Sequence, residues 1–335
     1  MKYLAGPALA GTMAFALMAG LASAASHSSA TDAAPMDQSA ADMSWTESPY
    51  GPDDEIGAAN LMTPERAKAA AALVTEGKTY SLGLTLDSTV PAFAPRSMSV
   101  AILQPGQANN SGLGPTKSTY NDDIFMGWLG IGSQIDGLGH LGVDHVYYNG
   151  NKASDFAQAS GLTKLGIEKV PPLVTRGVLL NMSKFYDQDI VEEGTAYTRE
   201  DIEAAAEAQG VEIREGDVVL FHSGWLDLLK EGSRDAERYG SVEPGLGLTG
   251  AEYLAEIGVV AIGADTWGME AVPFEDGVGI FEVHQFLLAK NGIYILENMV
   301  TEELAADGVT EFMFVLGQAK VRGAVQMIIN PVAIR

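Results

Sequence analysis

The chain has no cysteine, few basic residues and, beyond its first two dozen positions, no long apolar run. Each absence excludes something. Without thiols there are no disulfides, no zinc fingers, no iron–sulfur clusters and no cysteine nucleophile. With 20 Lys and Arg against 44 Asp and Glu, the formal net charge is −24, and no run of basic residues interrupts it. Such a surface repels phosphate, which argues against a nucleic-acid or anionic-membrane binder. What is present is a globular composition, 47% hydrophobic and 19% charged over 335 residues. That is too apolar for a disordered acidic tail and enough for a large core.

The N-terminus reads as an export signal. Lys2 precedes an almost uncharged stretch over residues 4–21, which leads into Ala22-Ser23-Ala24, the small-x-small pattern after which a signal peptidase cuts. The stretch approaches the length of a membrane anchor, but its Gly and Ala content and the closing motif favour cleavage. Residues 1–24 are therefore expected to be a signal peptide and 25–44 a polar, aperiodic, flexible tail. Residues 45–335 are expected to form a single domain. The mature protein is expected to be periplasmic or secreted from a bacterium, with no membrane insertion after cleavage.

Thr63-Pro64-Glu65 opens a helix with a hydroxyl cap and proline in the first turn, and Gly77 is placed to end it. Strand-forming runs are expected at 80–86, 97–103, 177–182, 217–222, 259–263, 293–296 and 312–316. Helical patterns lie at 199–208, at 251–257 and in a segment ending near Lys290. Residues 105–122 have loop composition and read as a lid or substrate loop. Helices and strands mix throughout, with no composition break after residue 45 and no internal repeat, so one α/β domain is expected.

Polar chemistry concentrates in two segments. The first is Gly130-Ile131-Gly132-Ser133-Gln134-Ile135-Asp136-Gly137-Leu138-Gly139-His140. If it is extended, the alternation of strand side chains puts Gln134 and Asp136 on one face. The glycines beyond let the chain turn and bring His140 back to that face. An amide oxygen, a carboxylate and an imidazole would then converge, a set suited to Zn²⁺ or Mn²⁺. The second segment starts at His284 and continues through an apolar run at 293–296 to Glu297. A helix and a returning strand would bring these two residues to one end of a sheet. D-x-x-x-H is a short spacing, so the residues alone leave both a metal site and a hydrogen-bonded polar loop open.

Other motifs carry less. Gly137-x-Gly139-x-x-Gly142 fits a dinucleotide fingerprint, but no helix pattern follows it. His222-Ser223 lacks a G-x-S-x-G context, and His222 reads as a hydrogen-bonded histidine at a strand end. His145, Trp128 and Trp267 are candidates to line a pocket for a small-molecule substrate, set against the commoner role of tryptophan in the core.

The first segment resembles the H-x-G-T-H-x-D-x-P-x-H signature of the cyclase family, which includes bacterial kynurenine formamidases and isatin hydrolase. Gly132, Asp136 and His140 match it, and Ser133 stands for threonine. His284 and Glu297 resemble the family's downstream metal ligands. The likeness extends over most of residues 45–330 through Asp54-Glu55-Ile56-Gly57-Ala58, Gly216-Asp217-Val218-Val219-Leu220 with Ser223-Gly224-Trp225, and Gly263-Ala264-Asp265-Thr266-Trp267. Three positions depart from it: Gly130 and Gln134 replace histidines, and Leu138 replaces proline.

The resemblance implies a swivelling β/β/α domain with a barrel-like β core, assembled as a homodimer or higher homo-oligomer. It implies a hydrolase that cleaves the C–N bond of an amide or a cyclic imide or lactam with metal-activated water, in the manner of an arylformamidase. Lactone hydrolysis, or a non-catalytic binding protein on the same fold, is the alternative. With two imidazoles gone, one divalent ion is expected, Zn or Mn, held by Asp136, His284 and Glu297 with Gln134 as a weaker ligand. His140 is then either a proton carrier to the leaving group, since imidazole titrates near neutrality, or a further ligand.

Overall fold

Runs such as Val218-Val219-Leu220-Phe221 are apolar at every position, with no alternation, and a strand of that kind is stable only with both faces covered. In the computed structural model they form the middle of one large sheet. The structure describes residues 44–103, 112–232 and 234–335, all within one compact unit. The expected signal peptide, almost all of the expected tail, and residues 104–111 of the expected lid lie outside the described residues. Among the described residues, no helix is long and apolar enough to cross a membrane.

Eleven strands matter for the site. They are β1 (Thr79–Ser81), β2 (Met98–Leu103), β3 (Asp122–Gly127), β4 (Gln134–Asp136), β5 (Leu173–Asn181), β6 (Val218–His222), β7 (Ala261–Ala264), β8 (Tyr294–Glu297), β9 (Glu311–Leu316), β10 (Gln326–Ile328) and β11 (Val332–Ile334). Nine of them make the main sheet, in the order β1-β11-β9-β5-β6-β7-β8-β4-β10. The four central strands β5, β6, β7 and β8 are parallel, and antiparallel strands extend the sheet on both sides. The sheet curls into the half-barrel of a mixed α/β fold, as the sequence led one to expect. β2 and β3 stand apart from it as a separate hairpin.

The helices start on their local signals, although the first ends at Ala71, well before the Gly77 expected to stop it. Helix α1 (Pro64–Ala71) starts at Thr63, whose side chain accepts from the Arg66 N–H. Helix α2 (Arg199–Gln209) opens on a capping box between Thr198 and Asp201 and stops at left-handed Gly210. Helix α3 (Leu248–Ile257) stops in the same way at Gly258. Helix α4 (Glu282–His284) runs directly into a π-helical stretch, Gln285–Lys290. Wide turns of this kind are frequent at functional sites, and His284 sits at the junction.

The strand expected at 80–86 ends at Ser81, and 122–127, whose Asp-Asp start reads as loop, is the second arm of the hairpin. Two short strands near the C-terminus, β10 and β11, were not foreseen. Each has three residues, and Asn330-Pro331 lies between them, so neither displays a legible period.

Candidate metal centre

Strand β4 is inserted between β8 and β10, and its register builds the site. Across one edge Gln134 pairs with Glu297, and across the other Asp136 pairs with Gln326. Partners in register project to the same face of a sheet. Two amides and two carboxylates therefore share one buried patch.

The strand is aimed by the turn before it. Gly132 has φ +60°, and a Cβ there would lie 2.0 Å from Leu86 Cδ2, so any other residue would be strained and would push Leu86 aside. Ser133 Oγ donates to Asn298 O at 2.5 Å and accepts from Leu84 N at 2.7 Å. Asn298 Nδ2 returns a bond to Gly132 O at 2.9 Å. These contacts fix the ends of β4 and β8 to each other.

His284 comes in from the helix. Its Nδ1 and its backbone N–H both meet Glu270 Oε1, which turns Nε2 inward. Nε2 lies 3.4 Å from Glu297 Oε1 and 4.0 Å from Asp136 Oδ2. His140, brought round by the glycine turn, puts its Nε2 3.6 Å from the same Asp136 oxygen. Ligand-type atoms of Asp136, His284 and Glu297 all lie within 4.8 Å of one another.

The electrostatics are those of a cation site. Burial and the Asp136 charge push the Glu297 carboxyl up to about 7. Burial alone would lower His284, but hydrogen bonds and charge from Glu270 and Glu297 outweigh it and raise the imidazole to about 10. His140 is lowered, chiefly by burial and further by the His284 and Arg96 charges, against the pull of Asp136. Nearby Glu243, fully buried, is raised well above the usual range by burial and then by the Glu297 charge.

Asp136 Oδ1 accepts from the Gln134 and Gln326 amides at 3.1 and 2.7 Å. Its Oδ2 is buried and has no hydrogen-bond partner. A carboxylate oxygen stranded in that way is costly unless something positive meets it. Two carboxylates and one imidazole, the latter oriented by Glu270, form a donor set that Zn²⁺ or Mn²⁺ takes. The residues present therefore fit a divalent ion.

Above the patch is a cavity of about 210 Å³. His140, His284, Gln134 and Glu297 line its floor, and Phe93, Trp267 and Phe281 its walls. Phe93 stacks on Trp267 at 5.6 Å between centroids and 21° between planes. Phe281 packs edge-on against His284 at 5.3 Å. Arg96 donates to Gly130 O at 2.9 Å and brings a positive charge to the wall.

Of the residues singled out from the sequence, the structure thus brings together Gln134, Asp136, His140, His284, Glu297 and Trp267. The Gln134 amide turns its nitrogen to the two carboxylates, 2.5 Å from Glu297 Oε2. Trp128 is 46% exposed at the foot of the hairpin, outside the cavity lining, and His145 lines a separate shallow depression with Lys152. His222 Nδ1 bonds Thr301 Oγ1 at 2.9 Å, the strand-end role expected of it. Glu270, Gln326, Arg96, Phe93 and Phe281 were missed. Only Glu270 carried a signal, as an acidic residue three positions after Trp267.

The geometry defines a class first: a mixed α/β protein with a buried carboxylate–imidazole centre under an aromatic cavity. The sequence matches the Cyclase family over residues 80–271, and the chain belongs to that family. His284 and Glu297 lie beyond the matched segment, so their place in the centre rests on the structure. A crystal structure described as a novel cyclase is 31% identical and superposes with a TM-score of 0.77, over 85% of this chain and 96% of that one. Isatin hydrolase A from Ralstonia solanacearum is 17% identical, with a TM-score of 0.59 over 82% and 98% of the two chains. Isatin hydrolase A from Labrenzia aggregata, bound to benzyl benzoate, is also 17% identical, with a TM-score of 0.54 over 79% and 94%. At that identity the likeness is one of fold. No curated protein matches the sequence.

Proposed function

We propose that the protein is a metal-dependent hydrolase acting on the C–N bond of a small amide or a cyclic imide or lactam. One observation carries the reading: Asp136 Oδ2, buried and without a hydrogen bond, faces the imidazole nitrogens of His284 and His140. The isatin hydrolase name attached to two proteins of similar fold supports the same reading. Asp136, His284 and Glu297 would hold one divalent ion, Zn or Mn. When bound, such an ion supplies Lewis acidity, making water a nucleophile near neutral pH and polarising a carbonyl.

The other roles belong to the chain. Glu270 accepts from His284 Nδ1 and so keeps Nε2, the nitrogen a metal ion would take in place of its proton, directed inward. His140, with its proton affinity lowered chiefly by burial, is placed to take a proton and pass it to the departing nitrogen. Phe93 and Trp267 give the cavity a flat apolar wall that suits a planar ring and keeps water out.

Metal analysis of the purified protein, with hydrolysis assays on formamides, cyclic imides and lactones, tests the reading. Near-stoichiometric Zn or Mn is expected, with turnover lost to chelator and restored by the metal. A folded, metal-free protein that binds such compounds without turning them over would instead be the binding protein.

We further infer export and self-association. Export rests on residues 1–24 alone. Self-association rests on the β2–β3 hairpin, where Val100, Ile102, Phe125, Met126 and Trp128 are all exposed. A two-stranded hairpin is at best marginal in water unless its apolar face is covered. Residues 98–103 and 124–128 contain no charge, but Asp122 and Asp123 begin β3 and Asp123 pairs with Ile102, so the uncharged surface that two copies of this acidic chain could share is centred on Val100 and Phe125. Light scattering should find a dimer or larger assembly for wild type and a monomer for Ile102→Lys/Phe125→Lys. A monomeric wild type would remove this inference.

A further inference from the structure

The two amides of the centre hold its carboxylates in an unusual division of labour. Gln134 Nε2 donates to Glu297 Oε2 at 2.5 Å and to Asp136 Oδ1 at 3.1 Å. Gln326 Nε2 donates to Asp136 Oδ1 at 2.7 Å. Each carboxylate thus has one oxygen taken by amide N–H and the other, Asp136 Oδ2 or Glu297 Oε1, turned toward His284. With the carboxylates ionised, the nitrogens are the ends that face them, because an amide oxygen there would oppose an acceptor.

Gly130 completes the arrangement. A Cβ at that position would lie 2.4 Å from Gln326 Oε1, 2.6 Å from its Cδ and 2.7 Å from its Nε2. Gln326 therefore occupies the volume that any side chain at 130 would need. The glycine and the glutamine are a matched pair, although 196 positions separate them in the chain.

We propose that Gln134 and Gln326 are positioning residues that confine the centre to one metal ion. Their N–H groups supply the partial positive charge that a second cation would otherwise supply to Asp136 Oδ1 and Glu297 Oε2. Gly130 makes room for this. The inference rests on the metal-dependent reading above, which has one ion, and adds to it the residues that set that number.

Mn²⁺ alone, titrated into the full chain and followed by calorimetry and electron paramagnetic resonance, tests it. Wild type is expected to take up one ion per chain, with the six-line spectrum of an isolated Mn²⁺. Gln134→Glu/Gln326→Glu converts both donors into acceptors and is expected to take up two ions with an exchange-coupled spectrum. Two ions in wild type, or a folded double variant that still takes one, would overturn the proposal. No uptake by wild type would overturn the hydrolase reading itself, which distinguishes the two failures. Should the double variant not fold, Gly130→Ala carries the test. It pushes Gln326 aside without altering any charge, and Mn²⁺ affinity is expected to fall about 10- to 100-fold, the usual cost of disturbing a group that orients a ligand. An unchanged affinity in that variant would show that Gln326 positions nothing.

Discussion

Asp136→Asn is expected to lose metal binding and hydrolysis together while the chain stays folded. The new side chain is isosteric and keeps an oxygen for the Gln134 and Gln326 nitrogens that now reach Asp136 Oδ1. What disappears is the charge on Oδ2, which has no hydrogen-bond partner but faces the His140 and His284 imidazoles, and with it the charge that helps to raise Glu297. Removing the Asp136 charge relieves its repulsion of Glu297 but gives up its attraction to the His284 imidazole, so the diagnostic quantity is the response to Mn²⁺ and not the stability of the metal-free forms. Adding Mn²⁺ separates them. A cation bound only by the native state stabilises it by about 2.7 kcal/mol at a hundred times its Kd. Thermal melts with and without Mn²⁺ should therefore show a rise in Tm for wild type and none for the variant. Because Lewis-acid stabilisation is worth several kcal/mol and each 1.36 kcal/mol is tenfold in rate, kcat/KM should fall by roughly three orders of magnitude or more. A variant whose Tm still responds to Mn²⁺ would remove Asp136 from the ligand set.

The part of this site that was legible in the sequence is the part governed by local rules. A strand alternates its side chains, so Gln134 and Asp136 had to share a face wherever the segment went. Glycines at 137 and 139 allowed a turn, so His140 was free to return. The pairing of His284 with Glu297 needed only a helix and the strand after it. What local rules do not carry is register. That Gln326 stands opposite Asp136, and Glu297 opposite Gln134, is decided by which strands flank β4. A three-residue strand such as β10 has no period that would announce it.

The same reasoning explains why Gly130 and Gln134 looked like losses. Judged by residue type, two imidazoles had been replaced by a group with no side chain and one without charge. In three dimensions the space at 130 is filled by Gln326, and the amide at 134 is used from its nitrogen end. A substitution judged by its own side chain omits whatever the fold brings to fill the gap. Trp128 erred in the opposite direction: an aromatic close in sequence to the glycine segment lies on an exposed hairpin, while Phe93 and Phe281, from two distant segments, make the wall.

His140→Ala is expected to separate proton transfer from metal binding. Two observations favour a proton carrier over a fourth ligand. The His140 side chain keeps 20% of its surface exposed at the cavity, whereas those of Asp136, His284 and Glu297 keep 0%, 3% and 6%. Its Nε2 also lies within reach of both Asp136 Oδ2, at 3.6 Å, and the Gln326 amide, at 3.4 Å, a position between the buried centre and the open space where substrate would sit. The variant should therefore keep its Mn²⁺ stoichiometry and lose about 10²- to 10⁴-fold in kcat, the range for a positioned acid–base group. The loss should depend on the leaving group. An amine must be protonated as it departs, whereas an alkoxide from an activated ester departs more readily without help. Across a series of substrates the variant should recover toward wild type as the leaving group becomes less basic. A uniform loss accompanied by a fall in bound Mn²⁺ would make His140 a ligand and leave the proton to be carried by another group.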